Sequence, residues 1–130
     1  IAKAKPGFEI ACTVTTIVNP DVRAAMNFVK MSLGFYLGGM GAKDANFHFD
    51  VFARMGWEGV TTQVQELYLQ GKKQEAAASI PIEMVEDVAL VGPAGKIKEE
   101  LAVWRETCIT EFLVSGPAMA LPMYAELILE

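Results

Sequence analysis

Two small groups of hydroxyl and glycine residues lie where strand-like runs of the sequence end. Thr13 and Thr15 fall in the second half of the β-branched run 8–18, and Ser115 and Gly116 directly follow the apolar run 109–114. Threonine and serine hydroxyls can hydrogen-bond a ligand, and backbone N–H groups in a loop that opens a helix can bind an anion. We therefore expect these four residues to contact a bound ligand. The same residues also have purely structural explanations. Ser115 and Gly116 can form an ordinary strand-to-helix turn, and the threonines can reflect β-propensity or fill a barrel interior.

The glycine-rich segment Gly38-Gly39-Met40-Gly41 is a second candidate. A dinucleotide-binding fingerprint requires a strand before the glycines and a helix after them, and this segment follows a helical pattern instead. The segment is typical of a helix end that continues as a flexible loop. We expect Gly39 and Met40 to lie in a loop beside a substrate pocket.

The remaining reactive side chains offer little chemistry. His48, the single histidine, stands between Phe47 and Phe49, where a structural or surface role is favoured over a functional one. Cys12 and Cys108 fall in apolar stretches without metal-ligand spacing, which predicts buried, reduced cysteines of a cytoplasmic protein. The sequence shows no catalytic triad, metal-ligand cluster or paired carboxylates, so we predict no metal site and leave the catalytic residues unknown.

The elements that must position these residues follow from the hydrophobic spacing. The pattern predicts a strand over about 8–18, a helix from Pro20 to Leu37, inserted helices over about 44–88 with Asp44 as the first cap, and a helix–strand–helix unit over about 93–129. Only the strands at 8–18 and 109–114 are convincing. The expected fold is a mostly helical α/β domain over 1–130, with two parallel strands.

The two predicted strands alternate between an apolar face and a mixed face. Residues 10, 12 and 14 are apolar, and residues 9, 11, 13 and 15 include a carboxylate and two hydroxyls. An apolar face can meet a covering helix, while a mixed face suits a barrel interior. Because a two-stranded parallel sheet cannot cover its edges or close a barrel, we expect the chain to be a fragment of a larger fold, and the mixed face favours a barrel over an open sheet.

The composition indicates that part of the apolar surface of this chain is covered by a partner or by another part of the same protein. Hydrophobic residues make up 52% of the 130 residues and charged residues 21%, against about 45–50% and about 25% in ordinary soluble domains. The formal net charge of −5 argues against a nucleic-acid partner, which would require clustered Lys and Arg. No apolar run approaches the roughly 18 residues of a membrane span, so we expect no membrane partner.

Two stretches of the sequence resemble a known family. The first is Phe35–Gly41 with Asn46-Phe47 and Met55-Gly56, and the second is Val85–Ala94 continued through Trp104-Arg105 to 112–114. In this order they resemble the C-terminal portion of the luciferase-like monooxygenase superfamily, especially its coenzyme F420-dependent oxidoreductases. Members commonly have glycine after the helix that starts at Pro93, where this chain has Cys108.

The resemblance implies that the chain is the C-terminal fragment of a TIM (β/α)8 barrel, in which residues 8–18 form strand seven and residues 44–88 form the family's helical insertion. It implies an oxidoreductase that transfers a hydride to or from F420, or alternatively FMN, on a small-molecule substrate. Thr13, Thr15, Ser115 and Gly116 would then lie on the cofactor side. We also expect an inactive isolated chain that needs the N-terminal part of its barrel, and a cytoplasmic homo-oligomer. The alternative is a non-enzymatic helical binding or assembly module that oligomerises.

Overall fold

The computed structural model describes residues 5–43, 45–114 and 118–129. In chain order the elements are β1 (Ala11–Thr13), β2 (Thr15–Val18), α1 (Val22–Gly39), α2 (Phe47–Phe52), a π-helical turn (Ala53–Trp57), α3 (Glu58–Leu69), α4 (Lys73–Ala78), α5 (Ile82–Glu86), β3 (Ala89–Gly92), α6 (Ala94–Arg105), β4 (Glu111–Leu113), a 3-10 turn (Ala118–Ala120) and α7 (Leu121–Leu129). They form two compact units, one comprising Ile1–Val22 with Val88–Glu130 and the other Arg23–Asp87. The protein is α/β and mostly helical, as expected.

The strands of the first unit pair in parallel, as predicted, but there are four of them in the described part of the chain. β1 pairs with β4 in a register that sets Thr13 opposite Leu113. β2 pairs with β3, with Thr15 opposite Ala89. The prediction of a single strand over 8–18 is therefore wrong. This segment forms two strands, because the pairing partner changes from β4 to β3 at Val14.

β3 is a strand where the sequence predicts only a brief extended segment, over 88–91, before Gly92-Pro93. Ala89, Leu90 and Val91 are all buried, at 1% exposure or less. A parallel strand covered on both faces has no alternation of apolar and polar residues. β3 has four residues and ends at Gly92, which is too short for hydrophobic periodicity to identify a strand.

The core of the first unit lies under one face of the strands. Val14 and Leu90 pack with Ile97 and Leu101 of α6 and with Leu127 of α7. Ile97 and Leu101 are four residues apart, which places both on one side of α6. The spacing of these two residues in the sequence predicts this apolar stripe, and their burial confirms it.

The second unit is built around α1. The buried side of α1 carries Ala25, Met26, Val29, Leu33 and Leu37, which recur at helical spacing as predicted. α3 ends next to Gly71, which has φ of 81°. α4 ends before Pro81, because proline cannot continue the hydrogen-bond ladder of a helix. Glycine and proline are typical helix-ending residues, so the sequence itself predicts both of these ends.

Two local predictions fail. Asp44 lies outside the described residues, and the N-cap of α2 is Asn46, whose Oδ1 accepts from the backbone N–H groups of His48 and Phe49 at 3.0 and 3.2 Å. Cys108 is exposed and Cys12 half-buried. The prediction that both thiols are buried is therefore wrong for Cys108, which lies in the connection between α6 and β4.

Cys108 also does not need the left-handed backbone that a glycine would provide. Among the described residues, no amino acid other than glycine has a positive φ. α6 ends in a right-handed C-cap at Glu106, where the backbone N–H groups still find carbonyl partners.

Over the same described ranges, no helix is both long enough and apolar enough to cross a membrane.

Candidate functional site

The predicted ligand-binding threonines lie at the carboxyl end of β1 and the start of β2. Thr13 and Thr15 are both exposed, and the buried Val14 separates them. Because β1 and β4 run in parallel with Thr13 opposite Leu113, the carboxyl ends of both strands meet at one edge. Ser115 and Gly116 lie outside the described residues. The structure therefore places two of the four predicted residues.

The face that carries Thr13 is open and chemically mixed. Its exposed neighbours are Ala11 on the same strand and Glu111 and Leu113 on β4, with Leu113 50% exposed. The strands thus turn hydroxyl, carboxylate and aliphatic groups to one side and their buried residues to the other. A face of this kind can bind a molecule with a flat apolar body and polar edges, and the described residues of this face include no acid–base pair.

The opposite side of the strands holds this face in place. Tyr124 of α7 is 8% exposed, and its hydroxyl donates to the backbone carbonyl of Thr16 at 3.1 Å. Arg105 at the end of α6 donates from Nη2 to the backbone carbonyl of Ile128 at 2.7 Å. Since α6 and α7 pack against the buried side chains of the strands, the open face is supported by a continuous core.

The glycine segment differs from its prediction. Gly38 and Gly39 are the last two residues of α1, not part of a loop. A Cβ on Gly38 would lie 2.3 Å from Tyr68 Cβ, so the glycine serves close helix packing. Met40 follows the helix and is 42% exposed. The placement of Gly39 beside a substrate stays a prediction, and its placement in a flexible loop is wrong.

His48 lies in a group of aromatic rings at the end of α1. Its ring centroid is 4.7 Å from that of Tyr36 and 5.5 Å from that of Phe47. Asn46, which caps the helix of His48, also donates from Nδ2 to the backbone carbonyls of Tyr36 and Leu37 at 3.0 and 2.7 Å. These contacts favour the structural interpretation of His48. The linking role of Asn46 was missed, although an asparagine directly before a helix is a cap signal.

Most of the chain matches a known protein family. The model of the luciferase-like monooxygenase family matches residues 1–111. The chain belongs to the luciferase-like monooxygenase family. The matched range includes Thr13, Thr15, Gly39 and Met40, and it ends before Ser115 and Gly116.

A relative from Mycobacterium tuberculosis (strain ATCC 25618 / H37Rv) is provisionally named coenzyme F420-dependent oxidoreductase Rv3520c. It is 38% identical to this luciferase-like chain over 114 residues, which are 88% of the chain and 33% of the relative. The chain thus spans about a third of the length of this curated relative. No solved structure matches the chain. The resemblance stated from the sequence motifs is confirmed.

Proposed function

We propose that the chain is the C-terminal part of a (β/α)8-barrel oxidoreductase that transfers a hydride to or from coenzyme F420, with FMN as the alternative cofactor. Family membership supports an oxidoreductase or monooxygenase role, and the name of the M. tuberculosis relative supports F420. The structural observation that carries the proposal is the open mixed face at the carboxyl end of β1, with Thr13 opposite Leu113.

The barrel proposal rests on the two faces of the strands. One face is buried under α6 and α7, and the other is open. In a barrel, helices cover the outer face of every strand, and the inner face meets other strands and, at the carboxyl end, the ligand. We propose that further strand–helix units of the same protein close the barrel over this face. The greater length of the relative is consistent with that.

The described residues fit one flank of a deazaflavin or flavin. Thr13 and Thr15 offer hydroxyls that can donate to ring carbonyls or accept from ribityl hydroxyls, and Ala11 and Leu113 offer aliphatic contact for a flat ring. When bound, the cofactor supplies the ring atom that accepts or releases the hydride. The residues of this chain bind and orient it. We propose that Ser115 and Gly116 add backbone N–H contacts to the same ligand.

Threonine-to-valine variants test this assignment in the complete gene product. Valine keeps the shape of threonine and removes the hydroxyl, so Thr13→Val and Thr15→Val should each weaken F420 binding by roughly three- to tenfold, as expected for one lost hydrogen bond. Thr62→Val, an exposed threonine of α3, is the matched control and should leave the Kd unchanged. The same titrations with FMN decide between the two cofactors. If neither sheet variant changes the Kd of either cofactor, Thr13 and Thr15 do not bind it.

The proposed function also implies how the isolated chain behaves, what it acts on, and how and where the protein assembles. Membership in an enzyme family favours the oxidoreductase over the helical assembly module. We propose that the isolated 130 residues are inactive, because most of the cofactor cradle lies on other strands. Turnover of cofactor and substrate by that isolated chain would contradict this. A small-molecule substrate, homo-oligomeric assembly and a cytoplasmic location complete the proposal, and sedimentation velocity of the complete gene product tests the assembly.

A further inference from the structure

Aromatic side chains and one methionine form a largely exposed patch on α1 and the start of α2. We call it the aromatic patch, and its members are Phe28, Met31, Phe35, Tyr36, Phe47 and His48. All six residues belong to the unit Arg23–Asp87. None of them lies on the strand face described above.

The aromatic patch is one continuous surface. Phe28 and Phe35 are seven residues apart, which is almost two turns of helix, so they lie on the same side of α1. The rings of Phe35 and Tyr36 have their centroids 5.7 Å apart. His48 then joins Tyr36 to Phe47, at 4.7 and 5.5 Å between ring centroids. The patch therefore extends from α1 onto α2 without a break.

The aromatic patch contains no acidic side chain, lysine or arginine. The two charged residues of α1 are Arg23 and Lys30. They are five and two residues from Phe28, and a rotation of about 100° per residue turns both away from it. The solvent side of a helix normally carries charged and polar residues. Aromatic residues and methionine are instead enriched in protein–protein interfaces, so the patch has the composition of an interface.

The exposed area of the patch reaches what a protein–protein interface requires. Its four Phe and Tyr residues are between 39% and 69% exposed, and about half exposed on average. Since an aromatic side chain can bury about 150–250 Å², these four leave roughly 300–500 Å² open. Two such patches, with Met31 included, approach the total of about 1,000 Å² at which specific interfaces begin.

A second copy of the same protein fits this surface. In a two-fold contact the same surface meets itself, so that surface has to be self-complementary. The aromatic patch has no acid, lysine or arginine to repel its counterpart, and aromatic rings pack well edge to face. The formal net charge of −5 makes two copies repel each other elsewhere. An uncharged aromatic surface is therefore where two copies can meet.

We propose that the aromatic patch is the contact surface of a homodimer, in which the patches of two copies pack against each other across a two-fold axis. The proposal rests on the homo-oligomeric assembly in the proposed function and gives that assembly its surface. The cofactor assignment is independent of it.

Sedimentation velocity of the complete gene product and its double variant Phe28→Glu/Phe35→Glu tests the proposal. The unaltered protein should be a dimer at micromolar concentration. The variant should have a dissociation constant at least about a hundredfold higher, because it loses two aromatic contacts and brings like charges together. Leu69→Glu/Ile82→Glu, at exposed apolar positions outside the patch, is the matched control and should leave the dimer unchanged. A monomeric unaltered protein refutes the dimer, and a dimeric Phe28→Glu/Phe35→Glu protein refutes this surface.

A second charge variant separates a dimer contact from a patch that is covered within the same chain. Phe28→Lys/Phe35→Lys should also be monomeric, and mixing it with the glutamate variant should restore dimers, because opposite charges then face each other. A mixture that stays monomeric overturns the two-fold contact. Loss of the circular dichroism of the folded protein in both variants also overturns it, because the patch is then buried within one chain. Titration with F420 is scored separately, so failure of the dimer contact and failure of the cofactor assignment give different results.

Discussion

Replacing Gly38 with alanine tests the packing of α1 against α3. A Cβ added to Gly38 would lie 2.3 Å from Tyr68 Cβ and 2.5 Å from Tyr68 Cγ. These two atoms lie close to the backbone of α3, so a rotation of the Tyr68 side chain cannot remove the first contact. The two helices must separate to accommodate one methyl group.

The expected cost follows from two opposing terms. Alanine stabilises a helix by up to about 1 kcal/mol relative to glycine. Overpacking of a tight contact typically costs about 1–3 kcal/mol, and the rigid position of Tyr68 Cβ favours the upper end. We expect Gly38→Ala to lower the free energy of unfolding by about 2 kcal/mol net.

Two other glycines provide controls in the same unit. Gly59 lies within α3 with no atom within 4 Å of an added Cβ, so Gly59→Ala should stabilise the protein by about 0.5–1 kcal/mol. An added Cβ on Gly39 would meet ring atoms of Tyr68 and Phe35 at 2.8–3.1 Å. Side-chain rotation can relieve those contacts, so Gly39→Ala should fall between the other two variants.

Urea unfolding followed by circular dichroism measures all three variants. The account predicts the stability order Gly59→Ala, then Gly39→Ala, then Gly38→Ala. It also predicts that adding Tyr68→Ala does not rescue Gly38→Ala, because alanine retains the Cβ that the new methyl group meets. A Gly38→Ala protein as stable as Gly59→Ala would refute the close approach of the two helices.

Three further substitutions test other contacts by the same unfolding measurement. Asn46→Ala removes a helix cap and two hydrogen bonds to α1 and should cost about 2 kcal/mol; a loss below about 0.5 kcal/mol would mean that water replaces them. Tyr124→Phe removes the buried hydrogen bond to Thr16 and should cost about 1 kcal/mol, whereas an unchanged midpoint would show that the hydroxyl is not bonded. Gly92→Ala places a Cβ at φ of +144° and 2.8 Å from Lys96 Cδ, and should cost about 1–3 kcal/mol. A neutral Gly92→Ala would argue against this turn.

The sequence predicted the elements whose signals are local and repeated. The stripe of α1 and the end of α4 before Pro81 both follow from spacing or from the chemistry of proline, and both are correct. The inward and outward alternation around Val14 is also correct, because one residue along a strand reverses the side to which a side chain points.

The failures concern contacts between distant segments. Gly38 looks like a helix terminator in sequence, and only the position of Tyr68, thirty residues away, makes it a packing residue. β3 becomes a strand because it pairs with β2, more than seventy residues earlier. The open face is the hardest part to predict, since it is assembled from β1 and β4, which are a hundred residues apart in the chain.

Titration of coenzyme F420 into the complete gene product, followed by addition of a hydride donor, tests the central claim most directly. The account predicts saturable binding that weakens in Thr13→Val and Thr15→Val but not in Thr62→Val. It also predicts loss of the visible absorbance of the oxidised deazaflavin when the donor is added. A complete, folded gene product that binds neither F420 nor FMN would contradict the proposed function and the role of the open strand face.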